Sequence, residues 1–123
     1  MTGKSLAAFK SLLIVDDNSS MRRLIGRVVR EFACELIECS DGAEAFAAYE
    51  QHQPDWVLMD IEMQKKDGLT ATREICAAYP DARVVIVTHY GDPAFRHAAG
   101  RAGACGYVLK ENLFELRNML SST

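Results

Sequence analysis

At 123 residues, with 49% hydrophobic and 25% charged content, the chain is the size of one ordinary domain and carries apolar side chains for a single core, not two. Fourteen Lys and Arg stand against seventeen Asp and Glu, a formal net charge of -3 that gives no bulk electrostatic basis for nucleic-acid binding. The longest apolar runs are only strand length and Met1 to Lys10 lack the apolar core of a signal peptide, so no membrane association is expected and a cytoplasmic location is.

Residues Met1 to Ser11 lack a clear period and read as a leader, with Phe9 the one large group that would pack on a sheet. Leu12-Leu13-Ile14-Val15 is an all-apolar strand that ends in Asp16-Asp17. Asn18, Ser19 or Ser20 caps a helix whose apolar residues Met21, Leu24, Ile25, Val28, Val29 and Phe32 keep helical spacing, with Arg22, Arg23, Arg27 and Arg30 as a solvated opposite face. Leu36 to Cys39, with Glu35 and Glu38 in or beside it, has the mixed pattern of an edge strand. Ser40 or Asp41 opens a second helix through Gln51, packed by Phe46 and Tyr49.

Pro54-Asp55 precedes Trp56-Val57-Leu58-Met59, a continuous apolar run that suits a central parallel strand and stops at Asp60. Asp67-Gly68 begins a third helix, with Leu69, Thr72, Ile75, Cys76 and Tyr79 inward and Pro80 stopping it. Val84 to Val87 is a further buried strand, ending in Thr88. Asp92-Pro93 opens a fourth helix with the face Phe95, Ala98, Ala99 and Ala102, terminated by Gly103. Tyr107 to Leu109 ends in Lys110, and Leu113, Leu116 and Leu120 on a last short helix cover it. Five strands alternating with five helices define an α/β, doubly wound parallel sheet. The domain runs from residue 12 to 120, and Ser121-Ser122-Thr123 reads as the start of a polar linker.

Cys34, Cys39, Cys76 and Cys105 form no C-x-x-C pair and no short Cys/His spacing of a zinc site, so they read as reduced and mostly buried. Chemistry gathers instead at the strand ends: Asp16, Asp17, Asp60, Thr88 and Lys110 all fall where the sheet's carboxyl edge would place a ligand. Clustered carboxylates raise one another's pKa values and need a cation. All-oxygen donors without His or Cys suit Mg²⁺. A lysine and a hydroxyl beside such an ion are what phosphoryl oxygens require.

The segments Val15-Asp16-Asp17-Asn18, Leu58-Met59-Asp60-Ile61-Glu62-Met63, Asp67-Gly68, Val87-Thr88 and Gly106-Tyr107-Val108-Leu109-Lys110 together resemble the CheY-like receiver domain of bacterial two-component response regulators. The resemblance implies the flavodoxin-like strand order 2-1-3-4-5. It makes Asp60 the phosphoacceptor from a sensor histidine kinase or phosphotransfer protein. Asp17, Asp60 and the Glu62 backbone carbonyl become Mg²⁺ ligands, and Asp16 acts largely through bound water. Lys110 pairs with the carboxylate and then the phosphoryl group, Thr88 is the switch hydroxyl, and Tyr107 is the aromatic that follows it. Glu62 and Tyr90, two residues after the acceptor and the switch hydroxyl, would tune the phosphoryl lifetime, with the bulk of Tyr90 hindering in-line attack by water. The chain departs from many receivers at Glu111, which follows Lys110 in place of Pro, and at Gln64, in place of a loop Pro.

The stretches 88–93 and 102–113 resemble the subfamily joined to helix-turn-helix outputs of the NarL/LuxR type, which implies control of transcription through an output domain absent from this chain. The same resemblance allows a homodimer through the face of the fourth helix, fifth strand and fifth helix, carrying Arg96, His97, Arg101, Glu115 and Arg117. The expected protein is a signalling phosphoacceptor and not an enzyme. A phosphorylation-independent docking module and a stand-alone phosphoryl shuttle are the alternatives. An aspartyl phosphohydrolase would have D-x-D after the first strand, and a flavin-binding protein would have a Ser/Thr/Gly-rich phosphate loop there; Asp16-Asp17 fits neither.

Overall fold

A computed structural model describes residues 10–121, and the expectation for Phe9 lies outside them. Strands β1 (Lys10–Val15), β2 (Ala33–Cys39), β3 (Trp56–Met59), β4 (Val84–Thr88) and β5 (Gly106–Leu109) form one parallel sheet in the order β2-β1-β3-β4-β5. Helices α1 (Ser19–Val29), α2 (Gly42–His52), α3 (Gly68–Ala78), α4 (Pro93–Ala102) and α5 (Glu115–Ser121) connect and cover the strands. This is the doubly wound, five-helix fold expected, with β2 at an edge as its glutamates required.

The apolar runs are continuous because both sheet faces are buried. Successive side chains alternate between faces. Leu13, Val15, Val57, Met59, Val84 and Ile86 therefore pack against Tyr49, Ala71 and Ile75 of α2 and α3, while Leu12, Ile14, Leu58, Val85 and Val108 meet Ile25 and Val29 of α1 and Leu116 and Leu120 of α5. Polar side chains mark the helix starts: Asn18, Asp41 and Asp67 each accept a backbone N–H of the following turn. Gly103, in the left-handed conformation, closes α4.

Four local expectations are corrected. The first strand begins at Lys10 and not Leu12, so Lys10 and Ser11 belong to the sheet and not to a leader, paired across to β2. Leu24 keeps helical spacing but is 42% exposed, since α1 needs only Ile25, Val29 and their neighbours to reach the sheet. Arg22 leaves the solvated stripe, its side chain turned onto the end of β1 and Glu38. Of the four free cysteines only Cys39 is buried; Cys34 and Cys105 are exposed, because an edge strand and the loop before β5 are covered on one side at most. Among the described residues no helix is long and apolar enough to cross a membrane.

Candidate functional site

Parallel register sets the site. Val15 pairs with Met59, Met59 with Ile86, and Thr88 with Leu109, so the residues that end these strands come level at one edge. Two further backbone bonds carry the ladder one step on: Asp16 N–H donates to the Cys39 carbonyl at 3.1 Å, and Asp60 N–H to that of Val15 at 2.9 Å. The carboxylates of Asp16 and Asp60 are therefore held side by side by sheet pairing and not by flexible loops. Gly68 lets α3 start against this edge, because a Cβ there would lie 1.7 Å from the Asp60 carbonyl oxygen.

Asp16, Asp17, Asn18, Asp60, Glu62, Thr88, His89, Tyr90 and Lys110 line one cleft of about 280 Å³. Every residue assigned a role from the sequence is here except Tyr107, which stands behind Tyr90. The Lys110 ammonium lies 2.8 Å from Asp16 Oδ2 and 3.2 Å from Asp60 Oδ1, with all three side chains nearly or wholly buried. Burial, then the charge of Asp16, pushes the Asp60 carboxyl up to about 6, and Lys110 only partly opposes them. Burial pushes the Lys110 ammonium down, but the bonds it donates to Asp16 and Asp60 and the charges of both carboxylates outweigh it, leaving its pKa above the ordinary lysine value.

Asp16, Asp17 and Asp60 can bring one oxygen each within 4.8 Å of one another. Three carboxylates and one ammonium leave two negative charges to be balanced, and the donors are all oxygen; a divalent hard cation such as Mg²⁺ fits that charge and that chemistry.

The far rim of the cleft is aromatic. Tyr90 donates its hydroxyl to Glu62 Oε1 at 2.6 Å and stacks on Phe95 with ring centroids 4.9 Å apart. Its N–H donates to Thr88 Oγ1 at 3.2 Å, and its carbonyl accepts the Tyr107 hydroxyl at 2.5 Å. Thr88, buried to 1% exposure, thus uses a lone pair here and keeps its hydroxyl proton to give. The bond to Glu62 and partial burial both raise the Tyr90 pKa, and burial raises that of Tyr107, over whose ring Arg96 lies at 4.6 Å. The Lys110-Glu111 peptide is trans.

Sequence reasoning missed three supports. Asn18 N–H donates to Asp16 Oδ1 at 2.9 Å, Arg22 donates to the Asp16 carbonyl at 2.6 Å, and Tyr90 bonds directly to Glu62. A signal for Arg22 existed: a side chain in a helix's first turn leans toward its N-terminus, back over the loop before it. Of the surface basic residues, Arg117 pairs with Glu31 at 2.7 Å and reaches the Val28 carbonyl, tying α5 to α1.

The family model for the response regulator receiver domain matches residues 12–121. The chain is 37% identical over 101 residues to the chemotaxis protein CheY of Halobacterium salinarum, covering 82% of this chain and 84% of that one. It is 34% identical over 102 residues to the transcriptional regulatory protein DegU of Brevibacillus brevis, covering 81% of this chain but only 43% of DegU. In structure it is similar to a DNA-binding response regulator of the LuxR family from Staphylococcus aureus, with a TM-score of 0.81, 28% identity and coverage of 92% and 99%.

Proposed function

The chain belongs to the response regulator receiver domain family, and from that premise we propose that it is a phosphoacceptor that takes a phosphoryl group on Asp60 from a histidine kinase or phosphotransfer protein. The observation that carries this reading is the buried trio of Asp16, Asp60 and Lys110, joined at 2.8 and 3.2 Å beside an exposed third carboxylate, Asp17.

An Asp60 oxygen attacks phosphorus; the O–P bond forms, the N–P bond to the donor's imidazole breaks, and the freed nitrogen takes a proton from solvent. Asp17, Asp60 and the Glu62 carbonyl would hold Mg²⁺, with Asp16 acting through water. The ion, when bound, supplies positive charge that neutralises the phosphoryl oxygens during transfer. Lys110 is already within reach of Asp60 and turns to a phosphoryl oxygen as charge moves there. Thr88 donates its hydroxyl proton to the same group. To do so it shifts its bond with the Tyr90 N–H, and Tyr107, bonded to the Tyr90 carbonyl, follows. The new dianionic group thereby biases the β4–α4 loop and the α4–β5–α5 face, where a second copy or an output domain would read it. A transcriptional output is supported by the likeness to DegU and to the LuxR-family regulator. Tyr90, closed onto Glu62, shields the aspartyl phosphate from water and lengthens its life.

Intact-protein mass after incubation with acetyl phosphate and Mg²⁺ tests the reading. One added phosphoryl group is expected on the wild type, and none with Asp60→Asn or with EDTA. A wild type that gains no mass and binds no beryllofluoride would overturn it in favour of a phosphorylation-independent docking module.

A further inference from the structure

Asp41 does more than start α2. Its residue is 8% exposed and its carboxylate accepts three backbone N–H groups. Ala43, at 2.8 Å on Oδ1, is the ordinary helix cap. Lys66 donates to the same oxygen at 3.1 Å, and Lys65 to Oδ2 at 2.9 Å. These two lie 24 and 25 residues away, in the loop that runs from Asp60 to α3.

Burial pushes the Asp41 carboxyl up, but the three N–H bonds and the nearby Lys65 outweigh it and hold it below the usual value, so it is ionised at neutral pH. Gly42 completes the joint: a Cβ there would sit 2.4 Å from the Lys66 carbonyl oxygen, so only glycine lets α2 start directly on the loop backbone.

At its other end the loop is held by buried Ile61 and Met63 and by the Gly68 N–H, which donates to the Ile61 carbonyl at 2.8 Å. Between these anchors sits Glu62, exposed and lining the cleft, with its side chain bonded to Tyr90. No proline lies between Asp60 and Gly68 to restrict the backbone, so the order of this stretch comes from its contacts.

We propose that Asp41 is a positioning residue for the phosphoacceptor site: from outside the cleft its carboxylate fixes the 61–66 loop, and so sets how firmly Glu62 is presented beside Asp60 to a divalent cation. This rests on the reading of Asp60 as acceptor and Glu62 as carbonyl ligand. Asp41 touches neither the ion nor the phosphoryl group; it acts through Lys65 and Lys66, as outer partners of metal ligands commonly do.

The discriminating variant is Asp41→Asn, which keeps one acceptor oxygen for the helix cap and replaces the other by an amide that cannot accept the Lys65 N–H. Amide exchange of the metal-free protein should quicken at Lys65 while Ala43 stays protected. A Mg²⁺ titration followed by amide chemical shifts should give about tenfold weaker binding, with the acetyl-phosphate rate restored near wild type at saturating Mg²⁺. Asp41→Ser, which keeps only the cap, should weaken binding further. Val29→Ala, in the core on the other sheet face, serves as the stability control: its melting temperature should fall with Mg²⁺ affinity unchanged.

Wild-type Mg²⁺ affinity in Asp41→Asn, or an equal loss of affinity in Val29→Ala, would overturn the proposal while leaving the phosphoacceptor reading intact. A wild type that neither binds Mg²⁺ nor takes up phosphate would overturn both.

Discussion

The two rims of the cleft are built by opposite means. On one, the side chains of Asp16, Asp60 and Lys110 are buried, the two carboxylates fixed by sheet pairing and joined to the ammonium by opposite charges where little water can screen them. On the other, Glu62 and Tyr90, backed by Phe95 and Tyr107, are half-buried or exposed and held by a few hydrogen bonds, one ring stack and the Arg96 guanidinium over Tyr107, contacts that water or a new partner can replace at small cost. The rigid rim is suited to binding a charged group, and the soft rim to answering it. Low local stability is where switching elements are drawn from.

Removing the central cation should break the rigid rim most severely. Lys110→Met leaves two buried carboxylates facing each other, and urea unfolding at pH 8 in EDTA should show a loss of about 3 kcal/mol. Part of that loss should return at pH 5, where the carboxylates take up protons; a loss independent of pH would remove the electrostatic account.

Asp60→Asn should act with the opposite sign. The folded state holds the Asp60 proton up to about 6 against an ordinary value of 3.8, so the stability present at low pH is lost as pH rises through 6. The variant escapes that loss. In metal-free buffer at pH 8 it should be about 2 kcal/mol more stable than the wild type, and the gain should shrink to nothing below the ordinary carboxyl range. A gain that persists at pH 3 would point to packing and not to charge.

Arg22→Met removes a guanidinium donor from the Asp16 carbonyl, and chemical denaturation should register about 1 kcal/mol of lost stability together with weaker Mg²⁺ binding.

The soft rim should respond least in stability and most in kinetics. Tyr90→Phe deletes only the exposed hydroxyl bond to Glu62, and its unfolding free energy should stay within about 0.5 kcal/mol of wild type. Loss of phosphate, followed by intact mass, should be slowest in the wild type, faster in Tyr90→Phe and fastest in Tyr90→Ala. Equal rates in all three would end the shielding role of that rim.

The difference in legibility follows the same line. The rigid rim was readable because strand ends announce themselves: an all-apolar run stops at a charge, and parallel sheets bring such stops to one edge, as Asp16, Asp60, Thr88 and Lys110 show. The soft rim was readable only as positions. Nothing in the spacing of Glu62 and Tyr90 states that their side chains meet, since that depends on how two loops, 28 residues apart, fold over the edge. Arg22 was misread for a related reason: helical period assigns a face to a side chain but not the partner that a neighbouring strand brings to it. Leu24 shows the converse, an apolar residue at helical spacing that the fold leaves exposed.

By itself the sequence determined the strand and helix alternation, the helix start at Asp67, the short polar stretches from which the structure took Asn18 and Asp41 as caps, and the gathering of acids, hydroxyl and lysine at one sheet edge. These rest on local periodicity and on the rule that parallel strands point one way. The tertiary structure decided which of those groups touch. It gave Lys110 two carboxylate partners, closed Tyr90 onto Glu62, and turned the Asp41 cap into a tie for a loop 24 residues away. Such contacts come from the approach of separate crossovers over a common edge, a relation between distant segments that no local pattern encodes.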